Sequence, residues 1–90
     1  MKKTFFYQNK NLIHQRLHDL RKQLGVSQKD LAAKLQIMNV NIDQQMISKI
    51  ENNKRIVTDY ELACFCIALN IHAADLLQGT LETVGNPVSD

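Results

Sequence analysis

The chain has 90 residues, of which 44% are hydrophobic and 22% are charged, and this is the size and composition of one folded domain. The length leaves no room for a second domain or for a deep catalytic cleft. The formal net charge of +2 is too small to indicate a nucleic-acid partner by itself. No stretch approaches the roughly 18 apolar residues of a membrane span, and we do not expect a secretion signal in the first residues.

The two cysteines, Cys64 and Cys66, stand two positions apart. On a helix such side chains point in nearly opposite directions, so they cannot form a disulfide with each other. Cys64 has no neighbouring base that would activate it as a nucleophile, and Cys66 suits a small buried position. Two reduced thiols predict a cytoplasmic protein.

The first predicted helix follows an N-terminal arm. Residues 1–10 contain Phe5, Phe6 and Tyr7 without a helical period, which predicts a flexible arm. Apolar residues then recur at helical spacing over residues 12–24. They are Ile13, Leu17, Leu20 and Leu24. We expect Asn11 to cap the start of this helix and Gly25 to end it in the left-handed conformation.

A second helix is predicted to begin after Ser27, because Ser27 and Asp30 form a capping-box pattern. Its apolar positions are Leu31, Ala32 and Leu35. Residues 36–42 then alternate between apolar and polar side chains without Gly or Pro. They form either a longer end of the second helix or an extended connector.

A third, short helix is predicted over residues 43–51, with Asp43 as its N-cap and an apolar stripe facing the core. The stripe contains Met46, Ile47 and Ile50. Thr58 and Glu61 form another capping-box pattern and open a fourth helix. Its predicted buried face contains Leu62, Phe65, Cys66 and Leu69, with Asn70 just past its end.

A fifth helix is predicted from Ala73 to a stop at Gly79, and residues 80–90 form a tail. The chain is therefore predicted to be an all-α, compact five-helix domain over residues 11–79, with short extensions at both ends. The order of the capping signals and apolar stripes is the basis of this prediction.

Several ordered blocks of the sequence resemble the lambda-repressor-like helix-turn-helix family, also described as the Cro or XRE type. The blocks are LRKQLGVSQ at 20–28, LAAKL at 31–35, ISKIENNKR at 47–55, and the apolar residues Leu62, Phe65, Cys66, Ala68 and Leu69. The resemblance covers residues 13–77. It implies a DNA-binding transcriptional regulator of the repressor type that binds double-stranded DNA, and we expect a homodimer.

The resemblance also implies roles for individual residues. In this family, the helix that corresponds to residues 43–51 of this chain enters the major groove, and the preceding helix lies across the DNA backbone. The implied base contacts are Gln44, Gln45, Ser48 and Lys49, and the implied backbone contacts are Ser27, Gln28, Asn52, Lys54 and Arg55. A glutamine can form two hydrogen bonds with adenine. In the family, the position of Gln28 also supports the first recognition glutamine, and Arg21 and Glu51 match a structural salt bridge.

The chain departs from the family pattern in the connector and at two further positions. Seven residues separate Leu35 from Asp43, about five more than is usual, and Gln36 replaces the expected turn glycine. Either the second helix continues past Gln36, or Asn39 or Asn41 forms the turn. Asp43 stands where a Ser or Thr often caps the helix and can contact phosphate, and Asn53 replaces a frequent glycine.

Other classes of function have weaker support in the sequence. His14 and His18 have the i, i+4 spacing of metal ligands, but no third ligand is placed to complete a site. No phosphate loop, activated nucleophile or paired carboxylates are present, so we predict no metal, no cofactor and no enzymatic activity. The main alternative is an antitoxin-like or adaptor protein, whose protein partner would bind Phe5, Phe6, Tyr7 or the connector.

Overall fold

Five α-helices follow one another in the computed structural model, which describes residues 9–80. They are α1 (His14–Gln23), α2 (Gln28–Ile37), α3 (Gln44–Glu51), α4 (Asp59–Leu69) and α5 (Ala73–Leu77). The described part of the chain contains no β-strand, and the predicted all-α, five-helix fold is confirmed. Most of the predicted arm (1–8) and tail (81–90) lies outside the described residues.

One hydrophobic core joins the five helices. Helix α2 packs against α3 and α4, whereas α1 packs against α3 and α5, and α4 packs against α5. The largest fully buried side chains are Phe65, Leu17, Leu31, Leu35, Ile42, Ile47, Ile50 and Leu76. Because α3 supplies Ile47 and Ile50 to this core, its opposite side is left facing solvent.

The start of α1 differs from the prediction. The helix begins at His14, its N-cap is Ile13, and no side chain caps it. Ile13 takes this place because its side chain is buried in the core. Asn11 is also buried, and its Nδ2 donates hydrogen bonds to the carbonyl oxygens of Ile50 at 3.0 Å and Arg55 at 2.9 Å. Asn11 therefore joins the N-terminal segment to the end of α3.

Helices α2, α3 and α4 are each followed, within two residues of their last residue, by an asparagine in the left-handed conformation. The φ angles of Asn39, Asn53 and Asn70 are 63°, 62° and 56°. After each asparagine, the next backbone amide donates to a carbonyl of the last helical turn, as in Val40 N to Leu35 O at 2.9 Å. This is the Schellman motif, and asparagine adopts its left-handed residue more readily than other side-chain-bearing residues.

Replacing Asn39 with alanine is expected to lower the free energy of unfolding by about 1 kcal/mol, because alanine tolerates the left-handed region poorly. Replacing it with glycine should change stability little, since glycine adopts this conformation freely. Urea unfolding of both variants measures the difference. Equal losses in the two variants would show that the backbone conformation is not the source of the effect.

Both alternatives for the connector contribute to the observed structure. Helix α2 continues past Gln36 to Ile37, and Asn39 then forms the left-handed turn. Val40 and Ile42 are only 5% and 1% exposed, whereas Asn39 and Asn41 face solvent. The extra residues of this chain are therefore anchored in the core rather than looped out from it.

The buried face of α4 is wider than predicted. Phe65, Cys66 and Leu69 are buried as expected, but Cys64 is buried as well and Leu62 is only half-buried. Helix α4 packs against two helices, α2 and α5, so more of its surface is buried than a single apolar stripe would cover. Burial raises the pKa of the Cys66 thiol, and the charge of Asp75 adds to this effect.

Two residues that lie just outside the predicted domain of residues 11–79, Asn9 and Thr80, are hydrogen-bonded to the folded part. The side chain of Asn9 accepts a hydrogen bond from Asn53 Nδ2 at 3.0 Å. Thr80 is buried, and its hydroxyl donates to the carbonyl oxygen of Leu77 at 2.7 Å. At the same end, Arg16 of α1 donates to the carbonyl oxygen of Asp75 at 2.7 Å and so joins α1 to α5.

Candidate nucleic-acid interface

Helix α3 has one buried side and one polar side. Asp43 caps it as predicted, since its carboxylate accepts a hydrogen bond from the amide of Met46 at 2.8 Å. The core then holds Ile47 and Ile50, and Gln44, Gln45 and Lys49 are exposed while Ser48 is half-buried. The four predicted base-contacting residues therefore lie on one short helix, and three of them face solvent.

The end of α3 is stabilised by a side chain that was predicted to contact DNA. Asn52 Nδ2 donates to the carbonyl oxygen of Ser48 at 2.9 Å, and it lies 3.4 Å from the Ser48 hydroxyl. Asn52 itself remains exposed. Its amide thus closes the last turn of the helix.

The buried carboxylate of Glu51, the last residue of α3, joins this helix to α1 and α2. Glu51 Oε2 accepts from Arg21 Nε at 2.7 Å, while Oε1 accepts from Arg21 Nη2 at 2.9 Å and from Gln28 Nε2 at 3.1 Å. His18 Nδ1 lies 3.0 Å from the same Oε1 and 3.3 Å from Arg21 Nη2. The side chains of Glu51 and Arg21 are 3% and 7% exposed. This is a buried pair and not a surface one.

The environment of Glu51 keeps it ionised. Burial alone would raise the pKa of the carboxyl, but the hydrogen bonds from Arg21, His18 and Gln28 and the charge of Arg21 outweigh burial and lower it. The hydrogen bonding to Glu51 and the charge of that carboxylate outweigh burial and raise the pKa of the Arg21 guanidinium. Sequence reasoning found the Arg21–Glu51 pair through the family resemblance but missed His18, whose place one turn before Arg21 was the available signal.

At the start of α2, the prediction for the capping role of Ser27 is confirmed, whereas Gln28 has a different partner from the one expected. Ser27 is exposed and its hydroxyl accepts from the amide of Asp30 at 2.9 Å, which confirms the capping box. Gln28 was expected to support the first recognition glutamine, but its amide donates to Glu51. Gln28 reaches Glu51 because the start of α2 lies beside the end of α3. Helix α2 therefore supports the C-terminal end of α3 and not its first turn.

The turn after α3 holds two basic residues in different states. Lys54 is exposed. Arg55 is half-buried, and its Nη1 and Nη2 lie 3.0 and 3.1 Å from the two carboxylate oxygens of Glu61. The hydrogen bond from Arg55 lowers the pKa of Glu61. Arg55 was predicted to contact the DNA backbone, and in the structure its charge is paired with Glu61 at the start of α4.

Lowering the pH is expected to remove part of the stability of the domain. The pKa values of Glu51 and Glu61 are both lowered in the folded state, so the unfolded chain binds protons first as the pH falls. Their contribution is complete above the ordinary glutamate pKa of about 4.3 and is lost as the pH drops through the lower folded values. Urea unfolding between about pH 6 and pH 2 measures this loss.

A matched variant isolates the share of Glu51 in that pH dependence. In Glu51→Gln the fall of stability below about pH 5 should be shallower by up to roughly one bound proton. The same slope in both proteins would contradict the assignment of the acid sensitivity to Glu51.

Two other kinds of feature are absent from residues 9–80. None of the helices within residues 9–80 is long and apolar enough to cross a membrane. In the same range, no three His, Cys, Asp or Glu side chains gather as a metal site would require. His18, which has the i, i+4 spacing of a metal ligand with His14, contacts the Glu51 carboxylate.

Comparison with known proteins agrees with this geometry. The helix-turn-helix family model matches residues 17–76, which include α2, α3 and the connector between them. The chain belongs to the lambda-repressor-like helix-turn-helix family, a family of DNA-binding domains. No curated protein and no solved structure matches the chain.

Proposed function

We propose that this protein is a transcriptional regulator of the repressor type that recognises a specific double-stranded DNA sequence by inserting α3 into the major groove. The observation that supports this best is the two-sided character of α3. Its buried side fixes the helix to the core through Ile47 and Ile50, and its free side presents Gln44, Gln45 and Lys49. A fixed helix with exposed carboxamides has the features required for contacts with base edges.

The proposed roles follow from the position of each side chain. Gln44 and Gln45 lie in the first turn of α3 and would contact base edges, with adenine as the preferred partner of a bidentate glutamine. Lys49 lies one turn later and Ser48 supplies a hydroxyl beside it. The backbone contacts would come from Ser27, Gln28, Asn52 and Lys54, with a smaller share from Arg55 because Glu61 already neutralises it.

We further propose that two copies bind one site. A single helix of eight residues contacts only a few base pairs, and members of this structural class gain selectivity by placing two recognition helices about 34 Å apart on one face of the duplex. Light scattering of the protein with and without its selected duplex measures the stoichiometry. One copy per duplex at saturation would contradict this part of the proposal.

Selection from a pool of random duplexes tests the proposed function directly. We expect enrichment of a partly palindromic site, and affinity for that site should fall steeply as salt is raised because Lys and Arg contacts release counterions. A protein that selects no duplex even at low salt is not a sequence-specific DNA-binding regulator. That result would favour the antitoxin-like or adaptor alternative.

A further inference from the structure

The connector between α2 and α3 presents three carboxamides on one surface. Gln36, Asn39 and Asn41, here called the carboxamide row, line a shallow pocket of about 280 Å³ together with Val40. All three side chains of the row are exposed. None of them is charged, and each can both donate and accept hydrogen bonds.

The row is held in place from both ends. The Schellman motif closes the end of α2, where the amide of Asn39 donates to Gln36 O at 2.9 Å and the amide of Val40 donates to Leu35 O at 2.9 Å. Val40 and Ile42 anchor the chain in the core, and Asp43 then caps α3. A polar surface held in this way loses little conformational entropy when a partner binds it.

The position of the row points to the partner. Asn41 precedes Gln44 by three residues, and three residues of extended chain span at most about 10 Å. Successive phosphates on one DNA strand are about 3.4 Å apart along the helix axis. When the first turn of α3 enters the major groove, Asn41 therefore lies within the span of a few nucleotides of the bases that Gln44 contacts.

We infer that the carboxamide row is a second DNA-contacting surface, which adds hydrogen bonds to phosphate oxygens or base edges beside those contacted by α3. This inference rests on the proposed function. Carboxamides commonly contribute such contacts in protein–DNA interfaces. Because they are neutral, they strengthen binding without releasing counterions, so their contribution does not depend on salt as that of a lysine does.

Two substitutions in the row test the inference with the full-length protein and its selected duplex. Asn41→Ala removes one carboxamide at an exposed position, and Asn39→Gly removes another while keeping the left-handed turn. Each is expected to weaken binding about fivefold, the equivalent of one hydrogen bond. The slope of log affinity against log salt should stay unchanged in both variants, whereas Lys54→Ala should reduce it by about one.

Asn70→Gly is the matched control. Asn70 is also an exposed asparagine in the left-handed conformation, but it follows α4, and α3 packs mainly against α1 and α2. This variant should bind DNA within about twofold of the unchanged protein, and thermal unfolding should show that all three variants are folded.

The outcomes separate this inference from the function on which it rests. If Gln44→Ala alters the selected sequence while Asn41→Ala and Asn39→Gly bind as the unchanged protein does, the inference is overturned and the proposed function stands. The row would then be a surface for a protein partner or for none. If the unchanged protein selects no duplex, the proposed function and the inference both fail.

Discussion

Replacing Glu51 with alanine is expected to lower the free energy of unfolding by about 3 kcal/mol, which is a large part of the stability of a small domain. The reason is the burial of its main partner. Arg21 is 7% exposed and directs both Nε and Nη2 at the Glu51 carboxylate. Without the carboxylate the buried guanidinium loses its charged partner and keeps its hydrogen bond to the carbonyl oxygen of Val26 at 2.9 Å and its contact with His18 Nδ1 at 3.3 Å. Urea unfolding followed by circular dichroism measures the loss.

The double variant Arg21→Leu with Glu51→Leu is the control for this prediction. Replacing both members of a buried pair with apolar residues removes the uncompensated charge, so the double variant should be more stable than Glu51→Ala. A loss of less than about 1 kcal/mol in Glu51→Ala would indicate that the pair behaves as an exposed one. That result would contradict the burial on which the prediction depends.

Replacing Gln44 with alanine is expected to relax the preference for one base pair of the selected site by about 1 to 3 kcal/mol, or up to roughly a hundredfold. The folded state should be unaffected, because Gln44 is exposed at the start of α3 and Asp43 caps the helix without it. The measurement is a comparison of affinities for the selected duplex and for duplexes with single base-pair changes.

Lys54→Ala provides the contrast for the glutamine variant. Lys54 is exposed in the turn after α3 and offers charge without base specificity, so its loss should weaken binding to all duplexes by a similar factor. If Gln44→Ala also weakened all duplexes equally, Gln44 would be a backbone contact rather than a base contact. The same comparison applies to Gln45.

The helices were predictable because their signals are local. Ser27 with Asp30 and Thr58 with Glu61 form capping boxes that the structure confirms, and Gly25 takes the left-handed conformation that was expected after the first helix. Asn11 failed as a helix cap because its partners, the carbonyl oxygens of Ile50 and Arg55, lie about 40 residues away in sequence. Hydrogen bonds between residues so far apart in the chain produce no periodic pattern that a single sequence could show.

The candidate site was predictable to a smaller extent and for a related reason. The polar side of α3 follows from the helical spacing of Ile47 and Ile50, so the exposure of Gln44, Gln45 and Lys49 could be inferred. The pairing of Arg55 with Glu61 could not, because residues six apart are not neighbours on a regular helix and meet only through the turn at the start of α4. The connector was ambiguous because its alternating apolar residues fit a helix end and an extended chain equally well.

The two ends of helix α3 differ: its last residue stabilises the fold, and its first turn carries the residues proposed to select the DNA sequence. Its last residue, Glu51, is held by Arg21, His18 and Gln28, whereas Gln44 and Gln45 in its first turn contribute nothing to the core. Substitutions in the first turn can therefore accumulate without unfolding the domain. Under the proposed function, exchanging Gln44 and Gln45 is expected to change the selected DNA site while the domain stays folded, provided that the carboxylate of Glu51 at the other end of the helix is left in place.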